Sequence, residues 1–206
     1  MRGVPTATYD KRHRYGRSRA RRRRGILLLM VLVAILAILP FALRVPDAVM
    51  RTIYPLRYEA TIRQASEKND LEPTFVAAVI YTESRFRPGV ESHQEAYGLM
   101  QLLPQSASYI KRNSGIKGDY RDPRVNIKLG TWFLGYLNDR YDGDERLMLA
   151  AYNSGEGSVN AWTSDEGFDI KKDIPYKETR EYVDKALVAR ETYTELYGSD
   201  LRESGG

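Results

Sequence analysis

Three regimes of polarity follow one another along the chain. Residues 1–24 show no apolar period and are expected to stay unfolded. Ile26 to Leu39 is then an unbroken apolar run of fourteen, set in a charge-free stretch of nineteen residues from Gly25 to Leu43. Wound as an α-helix, that stretch reaches roughly 28 Å at ~1.5 Å per residue, close to the ~30 Å hydrocarbon core of a bilayer. The pattern predicts a single membrane span over 25–43, with Pro40 near its outer end. Cations crowd the N-terminal flank, so the positive-inside rule keeps the tail in the cytoplasm and sends residues beyond 44 outward. A cleaved signal peptide would have a shorter basic region and an A-x-A pattern after the apolar run, which this chain does not have.

After a linker at 44–57 the spacing becomes helical. Tyr58 to Lys68 is amphipathic and ends at the turn-prone pair Asn69-Asp70. Pro73 to Ser84 is a second helix with proline in its first turn. Residues 86–98 hold Pro88, Gly89 and Gly98 and read as loop, with a small hairpin inside 86–102 left open. Pro104 to Arg112 is a short helix. Asp122-Pro123 is an N-cap and first-turn pair, behind which Val125, Leu129, Trp132, Phe133, Tyr136 and Leu137 recur at helical spacing. Asp144 to Asn153 follows, stopped by Gly155. The last helix, Lys177 to Tyr197, is expected to stop at Gly198 and leave 198–206 as a tail. No residues alternate for long enough to predict a strand. The folded part, 58–197, is therefore expected to be all-α or nearly so.

Charge changes this picture in one respect. The net charge is +5, but residues 1–24 hold ten Lys or Arg against the single acid Asp10, so the rest of the chain is net acidic. A nucleic-acid-binding fold needs its positive charge on a folded face, so no nucleic-acid partner is expected. Cysteine is absent, which excludes disulfides, thiolate metal sites and cysteine nucleophiles. There are two histidines, and His93 has no second histidine at metal-ligand spacing. No metal or cofactor is implied.

The candidate chemistry starts at Glu83. Val76, Val79, Ile80 and Glu83 stand at i, i+3, i+4 and i+7 and share one helical stripe. Three members are apolar, so the carboxyl is expected to face the core or a cleft lined by it. It also lies in the last turn, where the helix dipole disfavours an anion. Both effects raise its pKa, which suits a general acid for glycosidic cleavage. An edge residue that reaches solvent, or one paired with Arg85 or Arg87, would show the same spacing, so the stripe alone leaves these readings open.

Four segments in fixed order narrow the choice: Glu83-Ser84; Gly98-Leu99-Met100-Gln101; Ala151-Tyr152-Asn153-Ser154-Gly155; and Ile174-Pro175-Tyr176-Lys177-Glu178-Thr179-Arg180-Glu181-Tyr182-Val183. Together they resemble the soluble-lytic-transglycosylase-like domain of the lysozyme superfamily over roughly residues 55–197. The resemblance implies a lysozyme-like helical fold with a groove for a polysaccharide. It makes Glu83 the catalytic acid and places Ser92, Met100, Gln101, Tyr152, Asn153 and Glu178 at the substrate. Gly98 would let the loop backbone approach a flat sugar. Gln101 offers both donor and acceptor to sugar substituents. Met100 can pack on a sugar face, and Tyr152 can set an apolar ring with a polar tip beside the glycan. Asn153 also reads as a helix-terminus residue, and Glu178, in a first helical turn, also reads as purely structural.

The activity implied is cleavage of the β-1,4 bond between N-acetylmuramic acid and N-acetylglucosamine in peptidoglycan strands, leaving a 1,6-anhydro-muramyl end. A hydrolytic muramidase and a catalytically silent glycan-binding scaffold are the alternatives. The sequence departs from the family pattern once. Before Gly98 the family commonly shows Ser-x-x-Gly-Ala-x-Gly, and here Glu95 stands in place of the first glycine. That glycine allows a positive φ, so the loop's conformation is open at this point, and a carboxylate is added near the cleft.

Overall fold

A computed structural model describes residues 26, 28–34 and 47–202, and the chain divides into two units, Met1–Pro46 and Asp47–Gly206. In the first unit, residues 26 and 28–34 are helical and exposed. The expected tail 1–24 and most of the expected span 25–43 lie outside the described residues. Among the described residues no helix is long and apolar enough to cross a membrane.

The described residues of the second unit form eight helices and no strand: α1 (Asp47–Ile53), α2 (Glu59–Lys68), α3 (Pro73–Ser84), α4 (Pro104–Ser114), α5 (Pro123–Arg140), α6 (Glu145–Ser154), α7 (Glu156–Thr163) and α8 (Lys177–Arg202). Local chemistry sets most of their starts. Pro73, Pro104 and Pro123 each stand in a first turn. Asp122 accepts from the N–H groups of Arg124 and Val125, and Asp144 from those of Arg146 and Leu147. The possible hairpin in 86–102 is reduced to isolated bridges between Glu91 and Tyr97 and between Tyr97 and Leu102.

The core forms around α3, which packs most extensively on α8. Every residue from Thr74 to Ile80 is buried, so the helix is enclosed on all sides and not along a single stripe. Full burial of Phe75, Val76, Val79 and Ile80 is worth roughly 1.5–3 kcal/mol each. Ala77 and Ala78 let neighbouring helices approach closely.

Three expectations need correction. The last helix does not stop at Gly198 but continues to Arg202. Tyr197 and Leu201 are buried, and their packing outweighs the ~1 kcal/mol that glycine costs inside a helix. The stretch read as linker contains α1, and it is tied to α8. The Arg51 guanidinium lies 4.4 Å from the centre of the Tyr197 ring and pairs with Asp200 at 3.0 Å. Tyr193 and Tyr197 donate to the carbonyls of Pro55 and Tyr54, each at 2.8 Å. Finally, α7 has no counterpart in the sequence reading. It is short, it buries only Val159, and it starts at Gly155 without a side-chain cap, so neither apolar period nor cap chemistry signals it.

Candidate functional site

α3 ends at Ser84, where Arg85 and Phe86 both take positive φ (52° and 59°) and turn the chain sharply. The turn leaves Glu83 at the floor of a cleft of about 240 Å³. Opposite it runs the loop 87–103. Phe133 of α5, Tyr152 and Asn153 of α6, and Glu178 in the first turn of α8 complete the walls.

Six of the seven residues named from sequence meet here: Glu83, Ser92, Gln101, Tyr152, Asn153 and Glu178. Met100 does not. Its side chain is fully buried, with Sδ 3.9 Å from Thr131 Oγ1 and packed where a Cβ on Gly130 would stand, so it cannot lie on a sugar face. Only its backbone serves the cleft, since Tyr152 Oη donates to the Met100 carbonyl at 2.8 Å. Glu95 is exposed and takes a φ of 66°, the left-handed conformation its position asks of a glycine, and it is not among the cleft-lining residues.

The Glu83 carboxyl receives a 2.7 Å hydrogen bond from Tyr182 Oη. Burial pushes its pKa from 4.5 up to about 7, and the Tyr182 bond works in the opposite direction. Near neutral pH it is therefore populated both as an acid and as a base. Burial first, and the Glu83 charge second, hold the phenols of Tyr152 and Tyr182 well above the usual range, so both remain O–H donors.

Polar contacts to the backbone give the loop its shape. Ser84 Oγ lies 3.0 Å from the Ile80 carbonyl and 2.9 Å from that of Leu99, which locks the end of α3 to the loop. Ser92 Oγ accepts from the N–H groups of Gln94 and Ala96 at 3.2 and 3.1 Å, leaving its own proton for a ligand. Gln101, at φ 46°, donates both amide protons to Val90 and Gly98 carbonyls at 3.0 and 2.8 Å. What it offers the cleft is its carbonyl oxygen, not the donor and acceptor pair read from the sequence. Asn126, fully buried on α5, accepts from Met100 N at 2.8 Å and donates to the Tyr97 and Tyr120 carbonyls at 3.0 and 2.9 Å. A Cβ on Gly98 would stand 2.7 Å from that Asn126 amide, so this close packing and its φ of 87° both call for glycine.

Sequence reasoning gives no role to Tyr182, Asn126 or Phe133. Tyr182 stands four residues after Glu178, on the same face of α8, which was the available signal. Asn126 is a polar residue inside the apolar period of α5, and such a residue is buried only when it has partners. Phe133 shares the helical spacing of α5 and is partly exposed at the cleft wall.

A family profile described as "Transglycosylase SLT domain" matches residues 60–175. The soluble lytic murein transglycosylase of Escherichia coli K12 is 29% identical over 157 residues, covering 71% of this chain and 24% of that protein. The membrane-bound lytic murein transglycosylase C of Cronobacter sakazakii is 36% identical over 116 residues, 50% of this chain and 32% of the relative. Among solved structures, an inactive Glu-to-Gln mutant of the lytic transglycosylase Slt from Pseudomonas aeruginosa superposes with a TM-score of 0.66 at 29% identity, over 71% of this chain and 25% of that one. The chain spans about a quarter of the length of the soluble relatives it matches.

Proposed function

This chain belongs to the transglycosylase SLT domain family, and from that premise we propose that it cleaves peptidoglycan glycan strands as a lytic transglycosylase, with Glu83 as the single acid and base. The observation that carries the reading is the state of the Glu83 carboxyl. It sits half-buried at the floor of the cleft, desolvation raises its pKa to about 7, and Tyr182 holds it. In the first step Glu83 gives its proton to the bridging oxygen as the bond between that oxygen and the muramyl anomeric carbon breaks. In the second, the 6-hydroxyl of the same sugar attacks that carbon and its proton passes to Glu83. The acid is restored, no water is consumed, and the product ends in a 1,6-anhydro ring.

This route needs only the one desolvated carboxyl of the cleft, which supports it over hydrolysis. A hydrolase needs a second carboxylate, ~5–5.5 Å from the acid for retention or ~6.5–9.5 Å away for inversion. Of the two carboxylates lining the cleft, Glu178 is solvent-exposed. An intramolecular hydroxyl needs no second group to position a water and gains from high effective molarity. Ser92 and Gln101 offer a hydroxyl proton and a carbonyl oxygen to sugar substituents, Tyr152 and Phe133 offer apolar ring edges, and Asn153 offers an amide. One solved relative is described as inactive after a Glu-to-Gln change, which is consistent with a single essential carboxyl.

The charge-free stretch 25–43, with its cationic flank, supports a retained span that holds the enzyme at the outer face of the cell membrane. One relative, the C-type transglycosylase, is itself described as membrane-bound. Protease added to intact, wall-stripped cells should then digest residues beyond 45 and spare the tail; a protected domain would refute the topology.

The catalytic assignment is tested by Glu83→Gln, which keeps shape and removes the transferable proton. Clearance of a peptidoglycan suspension should fall ~100-fold or more with the circular dichroism spectrum unchanged. Retention of a tenth of the wild-type rate would exclude Glu83 as the acid.

A further inference from the structure

On α5, the Tyr136 ring lies 6.1 Å from that of Trp132 at an interplanar angle of 10°, and 6.0 Å from that of Phe133 at 12°. Near-parallel rings at that spacing are too far apart to stack face to face. They are offset-stacked, and all three are partly exposed. Phe133 is shared with the cleft, where it packs on Tyr152 at 5.7 Å. The aromatic surface therefore continues out of the cleft wall. A second line runs beside it on α4, where Ser106 lines the cleft and Tyr109, one turn further along the same face, is 42% exposed.

The edge of this shelf is polar and fixed. Tyr136 Oη donates to Glu156 Oε1 at 2.9 Å, and Arg140 Nε pairs with the same oxygen at 2.9 Å. The Arg140 guanidinium also donates to Asn160 Oδ1 at 3.3 Å. An apolar aromatic surface bordered by a carboxylate, a guanidinium and an amide suits a pyranose, whose C–H faces are apolar and whose rim carries hydroxyl and acetamido groups.

We propose that the Trp132–Tyr136 shelf, with Tyr109, is a distal saccharide subsite. It takes an N-acetylhexosamine ring of the same glycan strand, beyond the sugars held in the cleft. The inference rests on the proposed function and extends it, because it gives the enzyme a preference for long strands over short fragments. The competing explanation is that these rings only cover the small core of Leu102, Ala107, Ile110 and Leu129, against which Trp132 and Phe133 pack. A covering role predicts no dependence on ligand length.

The test uses the full-length Glu83→Gln protein in detergent micelles, titrated calorimetrically with N-acetylglucosamine oligomers of three and six sugars. The hexamer should bind about tenfold tighter than the trimer. Trp132→Ala should reduce that advantage to about twofold while leaving the trimer Kd unchanged. Tyr109→Ala, at an exposed position that does not threaten the fold, should reduce it about threefold and decides the matter if Trp132→Ala unfolds. Equal affinity for the two lengths, or an advantage that survives Tyr109→Ala and any folded Trp132→Ala protein, overturns the shelf. If the protein with Glu83 intact still clears peptidoglycan in that case, the shelf alone is wrong. If it neither binds an oligomer nor clears peptidoglycan, the reading of the cleft falls with it.

Discussion

The two walls facing each other across the cleft hold their groups by opposite means. The α3 wall is regular helix, buried on every side from Thr74 to Ile80, and it positions Glu83 by packing alone until Tyr182 meets the carboxyl. The facing wall, residues 87–103, has almost no regular structure, and Glu95, Gly98 and Gln101 take positive φ within seven residues. Side-chain bonds from Ser84, Ser92, Gln101 and Asn126 to the backbone hold it in place. Glu83 is thus set in a rigid, largely apolar frame that raises its pKa. The groups proposed to read the sugar sit on a polar frame that keeps acceptors and donors free. The first needs only apolar side chains of the right size, whereas the second needs particular residues at particular backbone angles.

If the loop wall depends on its polar frame, Asn126→Ala should cause the largest change in stability. It leaves Met100 N and the Tyr97 and Tyr120 carbonyls without the amide that pairs them. A loss of about 3 kcal/mol in denaturant unfolding is expected, with a fall in clearance of about tenfold in the folded fraction. A loss under 1 kcal/mol would show that the loop holds itself.

The helical wall makes a prediction of similar size and opposite sign. Glu83 has a folded pKa of about 7 against 4.5 unperturbed. The native state therefore takes up this proton more readily. The resulting stabilisation is fully present below about pH 4.5 and is lost as pH rises through about 7. Above that, the wild type carries a desolvated carboxylate and Glu83→Gln does not. Between pH 4 and pH 8 the variant should gain on the order of 3 kcal/mol relative to wild type. Parallel stability curves for the two proteins would mean that the carboxyl is not desolvated.

The smallest effect concerns Glu95. At φ 66° a non-glycine residue is strained, so Glu95→Gly should stabilise the domain by about 0.5–1 kcal/mol without changing clearance. Loss of activity in Glu95→Gly would give this carboxylate a part in the reaction.

The same contrast explains what could be read from the sequence. The bounds of α3, the caps at Asp122 and Asp144 and the stop at Gly155 follow from local rules, because proline, aspartate and glycine act on their own neighbours. α7 and the continuation of α8 past Gly198 depend on contacts made by distant segments, such as Arg51 with Tyr197, and no local pattern contains them. At the site, the motifs brought Glu83, Ser92, Gln101, Tyr152, Asn153 and Glu178 to one cleft, but not what each side chain does there. The direction of Met100 is not legible locally, because a flexible apolar side chain beside a cleft looks the same in sequence whether it faces the sugar or the core. Its direction is set by Gly130 and Thr131, some thirty residues away.

The claim that this cleft works with one carboxyl is tested most directly by weighing its products. Purified peptidoglycan digested with the full-length protein should yield muropeptides one water lighter than reducing fragments, with ends that resist borohydride. The Glu83→Gln protein, under the same conditions, should yield neither species. A wild-type product pool dominated by the heavier, borohydride-reducible ends would mean that water is the nucleophile, and that a second residue, Glu178 first among them, acts as its base.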